Sequence, residues 1–258
     1  MESINKDDFV VLQYTGKIAE ENVIFDTTNE IIAKKTGLYR PGLPYGGIIV
    51  CVGQSQVVAG LDEALAGKEL DKEYTLNVPA EKAFGRKLPK LIQLIAASKF
   101  LKDKIQPIPG LQVNVDGNVG IIKTVNGGRI LVDFNHPLSG KEITYQFTIK
   151  RKVHDAAEKI TAMLALMLQV FDARVVVQDK TAVVRMSQQL PQELIIELVK
   201  HIKKLVKDVD EIRFEAILQQ SKQNKEMDEH HHNHQHEHNG ESHNHNHNHD
   251  DKHNHEHE

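Results

Sequence analysis

The sequence predicts an α+β chain: an antiparallel sheet plugged by a short helix, a small β-rich middle segment, and a compact C-terminal α/β unit. Three observations predict it. Short runs of β-branched and aromatic residues, cut by glycines, fill the first part of the chain. Two hairpin signals, Asp116-Gly117-Asn118 and Asn126-Gly127-Gly128, separate three further runs. After Lys152 the period changes, and two amphipathic helical series flank another hairpin pattern.

In order, residues 9–16 read as a strand ending on Gly16, and residues 23–28 as a second extended segment. A long connection with Gly37, Pro41, Gly42, Pro44, Gly46 and Gly47 reads as loop or bulge. Residues 48–52 form an apolar strand. In the stretch 56–67, Leu61 and Leu65 sit four apart on one helical face. Gly60 lets the chain turn sharply there, and Gly67 is a natural stop. Residues 73–78 alternate with period two, and 79–85 form a loop. Pattern alone leaves 91–97 open between helix and buried strand. Strands at 111–115, 119–125, 129–134 and 142–150 follow, with a loop at 135–140.

Residues 155–171 are helical, 174–178 and 181–186 make a hairpin over Asp179-Lys180, and a helix starts near Pro191, a favoured early helix position. A strand over 211–218 closes this unit, which carries no residue cluster that suggests chemistry; association, as a homodimer through 153–220, is its natural role.

Composition narrows the class. At 258 residues the chain suits about two domains of ~100–200 residues each, followed by a tail too polar to fold. The net charge of −4 gives no general reason to expect nucleic-acid binding. Cys51, the single cysteine, excludes an intramolecular disulfide; its apolar surroundings favour a buried thiol over a nucleophile. The acidic N-terminus lacks an apolar signal core, and no run is long enough to span a bilayer, so a soluble, cytoplasmic protein without membrane partners is expected.

Several motifs agree in order: Tyr14-Thr15-Gly16, Phe25-Asp26, Val57-Val58-Ala59-Gly60-Leu61 and Ala83-Phe84-Gly85. Together they resemble an FKBP-type peptidyl-prolyl cis-trans isomerase. The order of the middle resembles the SlyD-like two-domain branch, where a β-rich domain is inserted into the flap and the main domain resumes at an Asn-His-Pro-Leu-Ala/Ser-Gly signature, here Asn135-His136-Pro137-Leu138-Ser139-Gly140. The resemblance covers residues 1–152 and the histidine-rich tail; the unit at 153–220 resembles the extra domain of long archaeal members. It implies an isomerase domain over 1–85 and 134–152 with its sheet wrapped on the short helix, an insert-in-flap chaperone domain over 86–133, a C-terminal α+β domain over 153–220, and a disordered tail over 221–258. It also favours a strand for 91–96.

The implied reaction is rotation about an X–Pro bond, whose barrier of about 18–20 kcal/mol comes from amide resonance. No nucleophile, metal or cofactor is required. An apolar, water-poor pocket favours the twisted amide, which is less charge-separated than the planar one. By resemblance Tyr14, Phe25, Ile48, Val57, Val58, Leu61, Phe84 and Tyr145 line that pocket, with Leu61 as its floor. Asp26 is the polar group at its wall, and the Val58 N–H is a donor to a substrate carbonyl. Tyr14, Asp26, Phe84 and Tyr145 are the catalytic candidates; Phe25, Ile48, Val57, Val58 and Leu61 bind substrate. Two positions depart from the commonest pattern: Leu61 stands where many relatives have tryptophan, though leucine also occurs in the SlyD-like branch, and Phe84 replaces a tyrosine. Taken singly, each aromatic reads as a core residue and Asp26 as a turn or cap residue.

Clients would be unfolded or proline-containing proteins. Apolar residues 91–95 of the insert either pair with an extended client segment or fill the insert's own core.

Thirteen of the sixteen histidines lie in the tail: His230, His231, His232, His234, His236, His238, His243, His245, His247, His249, His253, His255 and His257. Imidazoles spaced mostly two apart suit divalent Ni²⁺ or Zn²⁺. A solvated tail with incidental metal affinity and an appended purification tag are the bland alternatives, the irregular mixture with Asn and Glu arguing against the tag. Three functions follow: a prolyl isomerase with chaperone activity, a metallochaperone acting through the tail, and a non-catalytic peptide-binding module.

Overall fold

The computed structural model describes residues 3–216. The chain begins with β1 (Phe9–Ile18), β2 (Ile24–Thr27), α1 (Glu30–Thr36), β3 (Ile48–Cys51), α2 (Ala59–Leu65) and β4 (Glu73–Val78). The middle holds β5 (Ile92–Ala96), α3 (Ala97–Lys102), β6 (Gln112–Val115), β7 (Asn118–Asn126) and β8 (Arg129–Asp133). Then come β9 (Ile143–Lys152), α4 (Ala156–Leu168), β10 (Arg174–Gln178), β11 (Thr181–Met186), α5 (Gln192–Leu205) and β12 (Glu211–Ala216).

β1, β2, β3, β4 and β9 form one antiparallel sheet in the order β2-β1-β9-β4, with β3 also paired to β1. The long β9 lies between β1 and β4, opposing Gly16 to Tyr145 and Leu76 to Tyr145. Alternation sends Val10, Leu12, Tyr14 and Ile18 of β1, and Ile143, Tyr145, Phe147 and Ile149 of β9, to one face. There they pack on Leu61 and Leu65 of α2, both at most 1 % exposed. α2 therefore plugs the sheet as its spacing predicts. Gly60 acts differently from the expected sharp turn. It lies inside α2 and is needed for close approach, because a Cβ there would collide with Val78 Cγ1. Gly67, at φ 74°, ends the segment as expected.

The connection after Thr28 is not all loop. α1 forms because Asn29 caps it, accepting a hydrogen bond from the Ile32 N–H, and Gly37 closes it at φ 75°. Between the caps the helix buries only Ala33, so no apolar stripe announces it. α3 is likewise absent from the sequence reading; it buries only Phe100.

The middle strands form a separate antiparallel sheet, β5-β8-β7-β6, around Phe100, Val113, Val115, Ile122, Ile130 and Val132. Residues 92–96 are a strand, as the resemblance favours, and β5 is an edge of this sheet. Ile95 packs on that core while Leu94 is 63 % exposed, so the apolar run is only partly used to fill this core.

β10 and β11 form the expected hairpin over Asp179 and Lys180, both at positive φ, and β12 returns parallel to β11 after α5. Asp155 caps α4, accepting from the Glu158 N–H at 2.7 Å. The core of this unit, with Ile160, Met163, Leu164, Val184 and Ile202, also takes in Phe9 and Cys51 from the first sheet. The C-terminal unit thus shares a core with the outer end of β1 and β3. The strand expected over 211–218 is described as far as Ala216, and the tail histidines lie outside the described residues.

Candidate active site

β1, β2, β9 and the start of α2 converge on one cluster. Eight of the expected residues meet in it: Tyr14, Phe25, Ile48, Val57, Val58, Leu61, Phe84 and Tyr145. Leu61 and Tyr145 are buried; the other six are half-buried. The rings meet edge to face: Tyr14 and Tyr145 with centroids 5.8 Å apart, Phe25 and Tyr145 6.1 Å, Phe25 and Phe84 5.6 Å. Such T-shaped contacts set a positive ring edge against a negative face and hold the rings at fixed angles.

Asp26 stands at the edge of this cluster, on the exposed side of β2. The Tyr14 hydroxyl donates to its Oδ2 at 2.6 Å. Burial, followed by the adjacent carboxylate, pushes the Tyr14 phenol far above its usual range; the same two causes raise Tyr145. Both phenols therefore stay protonated at neutral pH and remain donors. Val58 is the N-cap residue of α2, where the first amide groups of a helix lack intrahelical partners.

Sequence reasoning assigns no role to several residues that shape the cluster. Gly16 is one. A Cβ there would sit 2.8 Å from both Phe25 Cζ and Tyr145 Cε1, so the rings close over bare backbone. His136 is another: its imidazole stacks on Phe84 at 4.9 Å with planes 4° apart, and its Nδ1 accepts from the Leu138 N–H at 3.2 Å. Both belong to motifs that are visible in the sequence, but their ring contacts are made with other segments of the chain. Asp62 is the third. It is buried, with Oδ1 accepting from the Gly53 N–H and Oδ2 from the Ser55 N–H, each at 2.8 Å. It ties the loop before α2 to the helix; next to Glu63 in the same turn, nothing in the sequence marks it out.

A cleft of about 520 Å³ lies elsewhere, bordered by α1 and by Gln13, Thr15, Gln146 and Thr148 of β1 and β9. Of the nine expected site residues only Tyr14 borders it. Cys51 is fully buried, and burial together with Asp7 and Asp62 pushes its thiol up to about 12, which suits packing and not nucleophilic chemistry. Among the described residues no group of three or more His, Cys, Asp or Glu could hold a metal ion, and no helix is long and apolar enough to cross a membrane.

A family model described as FKBP-type peptidyl-prolyl cis-trans isomerase matches residues 1–106, and a second, described as FKBP26, IF domain, matches residues 93–138. The short-type peptidyl-prolyl cis-trans isomerase of Methanocaldococcus jannaschii is 33 % identical over 155 residues, covering 60 % of this chain and 96 % of the relative. The FKBP-type 16 kDa peptidyl-prolyl cis-trans isomerase of Escherichia coli is 28 % identical over 153 residues, covering 57 % and 93 %. The FKBP-type peptidyl-prolyl cis-trans isomerase SlyD of Treponema pallidum is 26 % identical over 162 residues, covering 57 % and 85 %. The chain belongs to the family of FKBP-type peptidyl-prolyl cis-trans isomerases.

Proposed function

We propose that the chain accelerates X–Pro rotation in unfolded protein clients, with the pocket doing the chemistry and the insert holding the client. The observation that carries this reading is the aromatic cluster over Leu61 with the Tyr14–Asp26 pair at its edge. A prolyl ring seated against Phe25, Val57 and Leu61 leaves water. The planar amide loses more by that transfer than the twisted one, because resonance separates charge in the planar form. Asp26, oriented by the Tyr14 hydroxyl, positions the substrate carbonyl or its hydrogen-bond partner, and the Val58 N–H receives a substrate carbonyl. Only interactions stronger in the twisted state raise the rate, so the site needs rigid walls, which the edge-to-face rings supply. Phe84 brings packing area and no hydroxyl, so this mechanism uses no donor from that position.

The insert's role rests on β5, an edge strand with unpaired backbone groups and an exposed Leu94, to which an extended segment can add. Clients held there raise the local concentration of their prolines at the pocket. The functional division runs as 1–85 with 134–152 for isomerisation, 86–133 for holding, and 153–220 for association as a homodimer. The tail histidines from His230 to His257 bind Ni²⁺ or Zn²⁺ as a separate property in the cytoplasm, with no cofactor needed for catalysis.

A proline-exchange assay on a short X–Pro peptide, beside proline-limited refolding of a protein client, tests the reading. The parent is expected to accelerate both; a chain lacking residues 86–133 is expected to keep the peptide activity and lose most of the refolding activity. No peptide acceleration by the parent overturns the catalytic reading, and equal losses in the two assays overturn the division of labour. Calorimetric titration with nickel and zinc, with and without residues 222–258, tests the tail; equal stoichiometry in the two chains removes it.

A further inference from the structure

Two connectors, residues 84–91 and 133–140, join the isomerase sheet to the insert, and they are stapled to each other along their length. Asn135 is the centre of the staple and is buried. Its Oδ1 accepts from the Leu88 N–H at 2.8 Å, while its Nδ2 donates to the Leu88 carbonyl at 3.2 Å. The side chain thus pairs with Leu88 as another peptide group would. The second Nδ2 hydrogen goes to Asp133 Oδ1 at 2.8 Å, and the Asn135 N–H donates to the same oxygen at 3.0 Å. Asp133 is buried too, and its Oδ2 accepts from Lys87 Nζ at 3.1 Å. Backbone bonds extend the staple on both sides: Phe134 N–H to the Leu91 carbonyl at 2.9 Å toward the insert, Gly140 N–H to the Gly85 carbonyl at 2.8 Å toward the pocket. The Ser139 hydroxyl completes it, donating to the Phe84 carbonyl at 3.2 Å.

A free hinge needs connectors that can slide or separate. Here every polar atom of the Asn135 amide is matched, and each match crosses from one connector to the other or fixes the carboxylate that does. We propose that Asn135 and Asp133 are positioning residues that lock the insert at one orientation to the proline pocket. A client held on β5 then lies at a set distance from Phe84, where a loose hinge would spread it over many. This consequence rests on the reading that the insert holds clients; the lock itself does not.

The test uses the full chain in a Cys51→Ala background, spin-labelled at Glu20→Cys on the isomerase domain and Asn126→Cys on the insert. Glu20 is an exposed turn residue and Asn126 an exposed residue at the end of β7. Pulsed electron resonance is expected to give one narrow distance distribution. Asn135→Ala is expected to broaden it at least about 2-fold, because the released connectors sample many orientations. Asp133→Asn, which keeps an oxygen for the Asn135 donors, is expected to stay near the parent width. A folded Asn135→Ala chain with the parent's width overturns the lock. If Asn135→Ala unfolds the insert, Asn135→Ser, too short to reach both groups of Leu88, takes its place with the same two readings.

Unlabelled Asn135→Ala is then expected to slow proline-limited refolding of a client about 5-fold through lost local concentration, with peptide kcat/KM within about 2-fold of parent. A broadened distribution with unchanged refolding leaves the lock standing and removes client holding by the insert, so the two failures are told apart.

Discussion

The Tyr14 hydroxyl donates to Asp26 Oδ2 at 2.6 Å across the β1–β2 pair, tying a ring of the aromatic cluster to a carboxylate at its edge. The bond gives each residue a part of the other's function. Asp26→Ala removes the charge and frees the phenol; Tyr14→Phe leaves the carboxylate in place but unoriented. Asp26→Ala is expected to lower peptide kcat/KM about 10-fold or more, as loss of a preorganised polar group does. Tyr14→Phe is expected to cost less, and the double variant little more than Asp26→Ala alone, because the two act as a unit. Additive losses in the exchange assay would show that Tyr14 works independently of the carboxylate.

Gly16 makes a sharper case. Its missing Cβ leaves the space that Phe25 and Tyr145 fill, each within 2.8 Å of where that carbon would stand. Both rings belong to the aromatic cluster of the proposed site, and Gly16→Ala must push one outward. The variant is expected to remain folded, losing about 1–3 kcal/mol to overpacking. Its peptide kcat/KM is expected to fall about 10-fold, mostly in KM, since the prolyl cavity itself is deformed. Urea unfolding and steady-state kinetics on the same preparation check both; unchanged KM would mean that the rings relax without touching the prolyl subsite.

Much of this architecture can be read in the sequence, for physical reasons that vary by element. β4 and the β10–β11 hairpin are legible to the residue because period-two alternation and positive-φ turn residues are local signals. α1 and α3 are not, since each is short and buries a single residue; α1 leaves only caps that read equally well as turns, and α3 has no side-chain cap at all. The eight residues of the proposed pocket emerge only from their joint order; Tyr14, Phe25 and Phe84 taken singly look like any core aromatics. Gly16 is invisible as a site residue because what it contributes is empty space. Asn135 is recognisable as part of a motif, but its partner Leu88 is 47 positions away, and nothing local announces the pairing.

Asp62 supports the pocket from behind. Its two oxygens take the N–H groups of Gly53 and Ser55, and Ser55 holds a positive φ of 54° that a non-glycine residue adopts only under constraint. Asp62→Ala is expected to cost about 2 kcal/mol in urea unfolding, through lost hydrogen bonds to a charged group and two amides left to find water. The Asp62→Asn variant keeps one acceptor oxygen for two donors and is expected to recover about half of that loss. Full recovery would mean that the negative charge and second acceptor are dispensable, and that the helix N-terminus alone holds the loop.

The staple between the connectors should weaken in acid. Burial alone would raise the Asp133 carboxyl, but hydrogen bonds from the Asn135 side chain and backbone and from Lys87 outweigh it, and the group is held below its usual range. A carboxylate with a depressed native value contributes stability that is present above its unfolded value, about 3.9, and lost as pH falls through the native value. Protonation removes the pairing with Lys87 and weakens the acceptor that fixes Asn135. The Leu88 N–H, bonded to Asn135 Oδ1, reports this directly. Its hydrogen-exchange protection, corrected for the intrinsic rate, is expected to hold steady from about pH 7 to the unfolded value and to fall below it. In Asp133→Asn that step is expected to vanish while amides of the β1–β9 pair keep the parent profile. A flat Leu88 profile in the parent down to acid unfolding would show that the Asn135–Leu88 pair stands without the carboxylate.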